Sequence, residues 1–319
     1  MAVFLTSGSA LLLFLSGLFS LLTPLPFVFL FCRRGGTAAI LAAACGLVAL
    51  GLVYHLPLRW LEFLPGFAFY PSLDLAKVRS LVLLTFLGYA WLGLALSWVG
   101  KRRFGWEKGI FLAVASTVIL TALIVGYLEV ASSGRLVAEF RASLQSMIGR
   151  VVELNPQFSS GEKPELAGSV GVALWRLFPA LWISITTLTG ALNLLFARRW
   201  LPGILCAPWG DFSEWRLREP VIWFPLTAGT VFFVSRYLLK WESLSWVALN
   251  LALVAATVYF FQGVSVLLYA FKKQVSPMMR LAGWFVFFFF FQVVAVLLLL
   301  VGLFDFFFDF RKLKRVGAA

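Results

Sequence analysis

Histidine is almost missing from this chain, and acidic residues are scarce. Among 319 residues there is one histidine, His55, and there are only 14 Asp and Glu against 27 Lys and Arg. A single imidazole excludes a multi-histidine metal site within one chain, although a carboxylate site stays open. The three cysteines, Cys32, Cys45 and Cys206, are widely spaced in or beside apolar stretches. They read as buried thiols and indicate no disulfide framework. Nor does the chain carry GxxxxGK followed by Ser or Thr, HExxH, GxSxG or CxxC. With no recognisable nucleophile, base or metal constellation, an enzymatic role is not expected and no cofactor is called for.

Charge is also in short supply. Charged residues make up 13% of the chain and hydrophobic ones 61%, where a soluble domain has roughly 25% charged and 45 to 50% apolar. What fills the gap is a series of long apolar runs, at roughly residues 3 to 31, 37 to 55, 79 to 99, 109 to 130, 171 to 196, 221 to 239, 243 to 271 and 281 to 308. A hydrocarbon core of about 30 Å is crossed by about 20 helical residues. The expected fold is therefore an all-α polytopic membrane helix bundle of about eight transmembrane helices, with residues 1–319 forming a single integral membrane domain. The first run has no Lys or Arg before it and no small-x-small cleavage site after it, so it reads as a retained helix rather than a signal peptide. Its "TPLPF", with Pro24 and Pro26, predicts either one bent span or a span plus a half-helix.

The net charge of +13 sits in short clusters between apolar runs, at Arg33 and Arg34, Lys101 to Arg103, Arg198 and Arg199, and Lys272 and Lys273. Such clusters fit the excess of Lys and Arg on the cytoplasmic side of membranes, with anionic headgroups as partners. There is no basic domain to hold nucleic acid, so none is expected as a partner. Placing all four clusters in the cytosol puts residues 56 to 78 and 131 to 170 outside. One more crossing then sends the tail "RKLKR" outside too, against the same rule.

Residues 131–170 form the predicted extramembrane insertion. In "RLVAEFRASLQSMIGRVVEL" the residues Leu136, Phe140, Leu144, Met147, Ile148 and Val151 share one helical face, which predicts an amphipathic helix lying on the membrane or acting as a lid. The Pro-interrupted, aromatic "LPLRWLEFLPGFAFYP" suits an interfacial or re-entrant segment. In "GGTAAILAAACGLVALG", Gly35, Ala39 and Ala43, and likewise Ala38, Ala42 and Gly46, repeat every four residues. That spacing marks a close helix contact, within the chain or with a second protein.

Polar residues inside apolar runs are the candidate site residues, because an unpaired polar group in hydrocarbon is costly. They are Arg176, one turn before Pro179; Thr186 and Asn193, on one face of the same run; Gln262 in "YFFQGVSV"; and Gln292 in "FFFQVVAV". Either they line a ligand cavity or they make interhelical hydrogen bonds of about 1 kcal/mol or less; Arg176 could instead snorkel to headgroups. Asp305 and Asp309 in "VGLFDFFFDFRKLKR" are four apart on one face and should repel unless a cation intervenes. They read as the polar boundary of the last helix, paired with nearby Arg311 or Lys312, or else as an ion or proton site or a subunit contact.

Five patches in order, "PLPFVFLFCRRGG", "LTGALNLLFARR", "FSEWRLREP", "FQGVSVLLYAFKK" with "SPMMRL", and "VGLFDFFFDFRK", resemble the YybS-like family of bacterial multi-pass membrane proteins, a domain of unknown function. That family is distantly similar to the substrate-binding membrane subunits of energy-coupling-factor vitamin transporters and to a rod-shape membrane protein. The resemblance implies a helical bundle in the bacterial plasma (inner) membrane that encloses a small cavity and docks a membrane protein partner. It supplies no catalytic residues. The resemblance implies a protein that binds or helps to transport a small-molecule solute; the alternative, with the small-residue face and basic loops as docking surfaces, is a non-catalytic scaffold or assembly role in an envelope complex.

Overall fold

The first apolar run divides ahead of its two prolines. In the computed structural model, which describes residues 1–17, 19–55, 75–102, 104–154, 163–200, 211–273 and 276–311, the run 3 to 31 is not one helix. Helix α1 (Ala2–Leu15) ends before Gly17, whose φ of 68° is a left-handed value that suits glycine. A 3-10 turn (Ser20–Leu22) follows, and α2 (Pro24–Arg34) starts with Pro24, where the missing N–H costs nothing. At 14 and 11 residues, about 21 and 16 Å, neither helix alone reaches across a 30 Å core. Among the described residues seven helices are long and apolar enough to cross a membrane, and the first run accounts for the difference from eight.

The remaining helices are α3 (Gly36–His55), α4 (Leu75–Lys101), α5 (Trp106–Ala131), α6 (Arg135–Glu153), α7 (Lys163–Trp200), α8 (Trp223–Phe233), α9 (Glu242–Lys273), α10 (Pro277–Phe289) and α11 (Phe291–Phe308). The chain divides into two compact units, Met1–Arg176 with Ile185–Pro208, and Leu177–Ser184 with Trp209–Ala319, so that α7 contributes to both. Arg33 and Arg34, Lys101, Arg198 and Arg199, and Lys272 and Lys273 fall at helix C-termini, those of α2, α4, α7 and α9, where cations complement the negative end of the helix dipole. Arg33 and Arg102 also lie over the rings of Phe29 and Trp98.

In the first unit, the small-residue face of α3 packs inside the chain. Ala39, Ala42, Ala43 and Gly46 are buried; the Ser7 hydroxyl of α1 reaches the Ala42 carbonyl at 2.7 Å, and Gly46 lies against the ring of Phe86 in α4. Gly93 lets α4 approach the backbone of α2 at Pro24. The break between α1 and α2 leaves the Leu21 carbonyl in the interior, and Asn193 Nδ2 donates to it at 2.6 Å and to the Thr189 carbonyl at 2.7 Å. The predicted amphipathic helix is α6. Its packed line runs through Phe140, Leu144, Ile148 and Val152, with Ile148 against Gly171 and Phe140 near the Trp175 ring, whereas Met147 and Val151 are exposed. The stretch 56 to 71, Cys206 and Lys312 lie outside the described residues.

In the second unit, Pro179 interrupts the hydrogen bonds of α7, and Asn250 of α9 compensates by accepting from the Ala180 N–H at 3.1 Å. The run 281 to 308 is also broken, at Phe290 (φ −114°, ψ 32°), into α10 and α11. Helix α11 crosses α9 antiparallel with backbone against backbone: a Cβ on Gly263 would overlap the Leu298 carbonyl, and one on Gly302 would overlap the Tyr259 carbonyl. That contact brings Gln262 on α9 within reach of Asp305 on α11.

Candidate functional site

The segment entering α8 is not helical where it passes α9. After a short 3-10 turn (Phe212–Glu214), Trp215 and Arg218 are extended, and a second 3-10 turn (Glu219–Ile222) leads into α8. Its contacts map a path along the last turns of α9. Asp211 pairs with Lys272, the Phe212 and Trp215 carbonyls lie 2.7 and 2.8 Å from the Ser265 hydroxyl, and the Leu217 N–H donates to Gln262 Oε1 at 3.1 Å. Gln262 is eleven residues before Lys273, the end of α9, or about 16 Å along the axis. Extended backbone beside an apolar helix must find partners for its N–H and C=O groups within the protein. The polar side chains of α9 supply them.

The other supplier is Arg311. Helix α11 ends at Asp309, which takes a left-handed conformation (φ 44°) that Asp tolerates better than most residues. The chain turns back there: the Asp309 N–H reaches the Asp305 carbonyl at 3.0 Å, and the Phe310 N–H reaches Asp305 Oδ1 at 3.1 Å. Arg311 is thereby aimed inward. Its Nη2 donates to Asp305 Oδ2 at 2.9 Å, and its Nη1 lies 2.8 Å from both the Ser213 and Trp215 carbonyls and 2.7 Å from Ser265 Oγ. Gln262 Nε2 completes the set, donating to Asp305 Oδ2 at 2.7 Å. Asp305 is 0% exposed and Arg311 4%. Arg311, Asp305, Gln262 and Ser265 thus form a buried polar brace that ties the extended segment to both α9 and α11. Asp309 is matched separately, by Arg216 at 3.5 Å.

At the start of the segment Asp211 lies in none of the membrane-spanning helices. Partial burial works to raise its carboxyl, but the hydrogen bonds from Lys272 and from the Ser213 N–H outweigh this and hold it below the usual carboxylate value. A depressed carboxylate stabilises the fold above its unfolded value of about 3.9, and that contribution is lost as pH falls through the lower folded value. The pair is largely exposed, so its effect is small and weakened by salt. Asp211→Asn should therefore leave thermal stability at pH 7 within a degree or two of wild type. Measured from pH 5 to pH 3, the gap between the two proteins should narrow rather than widen.

Residues 73–306 match the model of a family described as "Predicted membrane protein (DUF2232)". The chain belongs to this family. It is the YybS-like family that the sequence patches resemble. No curated protein and no solved structure matches the chain. Within the DUF2232 match lie Gln262, Ser265, Asp305 and the whole extended segment; Arg311 follows just past its end.

The structure of this DUF2232 member places the sequence candidates unequally. Gln262 and Asp305 are brought together, and Asp305 and Asp309 each have an arginine of their own. The intervening cation is Arg311 for Asp305, whereas Asp309 is met by Arg216 from 93 residues earlier in the chain. Thr186 and Asn193 are both buried in the first unit, and Arg176 is half-buried on α7. Gln292 is not in the middle of a helix: the break at Phe290 puts it in the first turn of α11, where it is exposed. Sequence reading passed over Ser265, Arg216, Tyr259 and Asn250. Asn250, Tyr259 and Ser265 carried the same signal as Gln262, being polar groups inside the apolar run 243 to 271, whereas Arg216 lies outside every apolar run.

Proposed function

We propose that the protein is a non-catalytic scaffold or assembly partner of a membrane complex in the bacterial inner membrane, with its basic helix ends facing the cytosol. The observation that supports this reading is the closed brace. Gln262, Asp305, Arg311 and Ser265 bond to one another and to backbone of the same chain, as Asn193 does in the first unit. Side chains that a solute path would present to its cargo are committed instead to fixing an irregular segment, and a rigid surface is what an assembly partner has to offer.

The test is purification of the full chain from native membranes in mild detergent, with mass spectrometry of both proteins and small molecules. The expected result is a stoichiometric membrane-protein partner that re-forms the complex from purified components. A solute retained at about one per chain, and lost with Arg176→Ala, would overturn the reading in favour of solute transport.

A further inference from the structure

The hydrogen-bond balance around the brace is lopsided. Among the described residues, five buried polar groups there have no hydrogen-bond partner: Tyr259 OH, Ser213 Oγ, Arg216 Nη2, Trp215 Nε1 and Arg311 Nε. Three of these are N–H groups, which cannot accept, so the deficit is of acceptors rather than of polar partners in general. Leaving buried donors unmade costs roughly 1 to 3 kcal/mol each, more for charged ones, and native structures keep few of them. Tyr259 and Arg216 also share a location. Both line a narrow crevice completed by Leu217, Gln262, Gly302 and Phe306.

We propose that this crevice is a binding site for a phosphate-type oxyanion, held by the Tyr259 hydroxyl and by Nη2 of Arg216. Tyr259 is 2% exposed, so its hydroxyl meets no solvent, while the Arg216 side chain is 19% exposed and marks the entrance. The Arg216 Nη1 contact to Asp309, at 3.5 Å, is longer than the Arg311 contact to Asp305 at 2.9 Å, and holds the guanidinium only loosely. A planar guanidinium with one edge free is well suited to phosphate. The crevice in its present form has no room for a water-sized guest, so binding requires the partly exposed Arg216 side chain to move aside. A lipid phosphodiester and free inorganic phosphate present the same oxygens to these donors.

The experiment is native mass spectrometry and thermal unfolding of the full chain in neutral detergent, titrated with phosphatidylglycerol, inorganic phosphate or diacylglycerol. Saturable one-to-one binding of phosphatidylglycerol that phosphate does not displace assigns the site to a lipid headgroup. Binding of phosphate alone, with a rise in unfolding temperature, assigns it to the free ion. In either case Tyr259→Phe should weaken binding about tenfold or more, the worth of one hydrogen bond to a charged group, and Arg216→Lys should do the same if Tyr259→Phe does not fold. The proposal is overturned if diacylglycerol binds as well as phosphatidylglycerol, if neither phosphate ligand binds saturably, or if a folded variant at either position binds like wild type.

Discussion

Arg311→Ala should cost about 3 to 5 kcal/mol, the range measured when one partner of a buried ion pair is removed. The reason is double. Asp305, fully buried, would lose its arginine while keeping only neutral donors from Gln262 and the Phe310 N–H. The Ser213 and Trp215 carbonyls would lose Nη1 at the same time, leaving only the single proton of the Ser265 hydroxyl for several acceptors. Tryptophan-fluorescence unfolding in detergent should show a large drop in midpoint, and limited proteolysis should newly cut between Asp211 and Arg218. Arg311→Lys should fall between the two, because an ammonium can hold Asp305 but does not span carboxylate and carbonyls as a planar fork does. A midpoint for Arg311→Ala within a degree of wild type would show that the extended segment is held by something else.

The second large effect is steric. Gly302→Ala places a methyl on the Tyr259 carbonyl oxygen and the Gly263 N–H, and Gly263→Ala places one on the Leu298 carbonyl. These neighbours are helix backbone, which cannot turn aside as a flexible side chain can, so α9 and α11 must separate. A cost on the order of 3 kcal/mol or more is expected, at the upper end for overpacking, together with loss of the Gln262 to Asp305 bond that the close crossing permits. Gly229→Ala on α8 is the control, because nothing lies within 4 Å of a Cβ there. Relieved of glycine's entropy in mid-helix, that variant should gain about 0.5 to 1 kcal/mol. Opposite signs for one added methyl in the same unit would separate helix crossing from helix propensity in a single unfolding series.

Much of the architecture was legible because hydropathy is a local sum. Eighteen or more apolar residues in a row have few alternatives to a helix in lipid, and α3, α4, α5, α8 and α9 fall close to where the apolar runs place them. Two runs were broken from within, the first as expected and the last not. The first breaks at Gly17, seven residues ahead of Pro24, which starts the next helix, and Phe290 broke the last with no proline or glycine to announce it. Gln292 was misplaced for that reason alone. The face of α3 shows the other side: small residues every four positions signalled a contact, and the contact is there, but only the fold shows that Ser7 and Phe86 of the same chain fill it.

What the sequence determined by itself was the solvent, the helices, and which few polar residues lipid could not tolerate unpaired. The tertiary structure decided the pairs. Gln262 finds Asp305 across 43 residues, and Arg311 finds the Ser213 carbonyl across 98. No periodicity encodes such separations, because they depend on two glycines letting one helix cross another and on one left-handed aspartate turning the chain back into the protein.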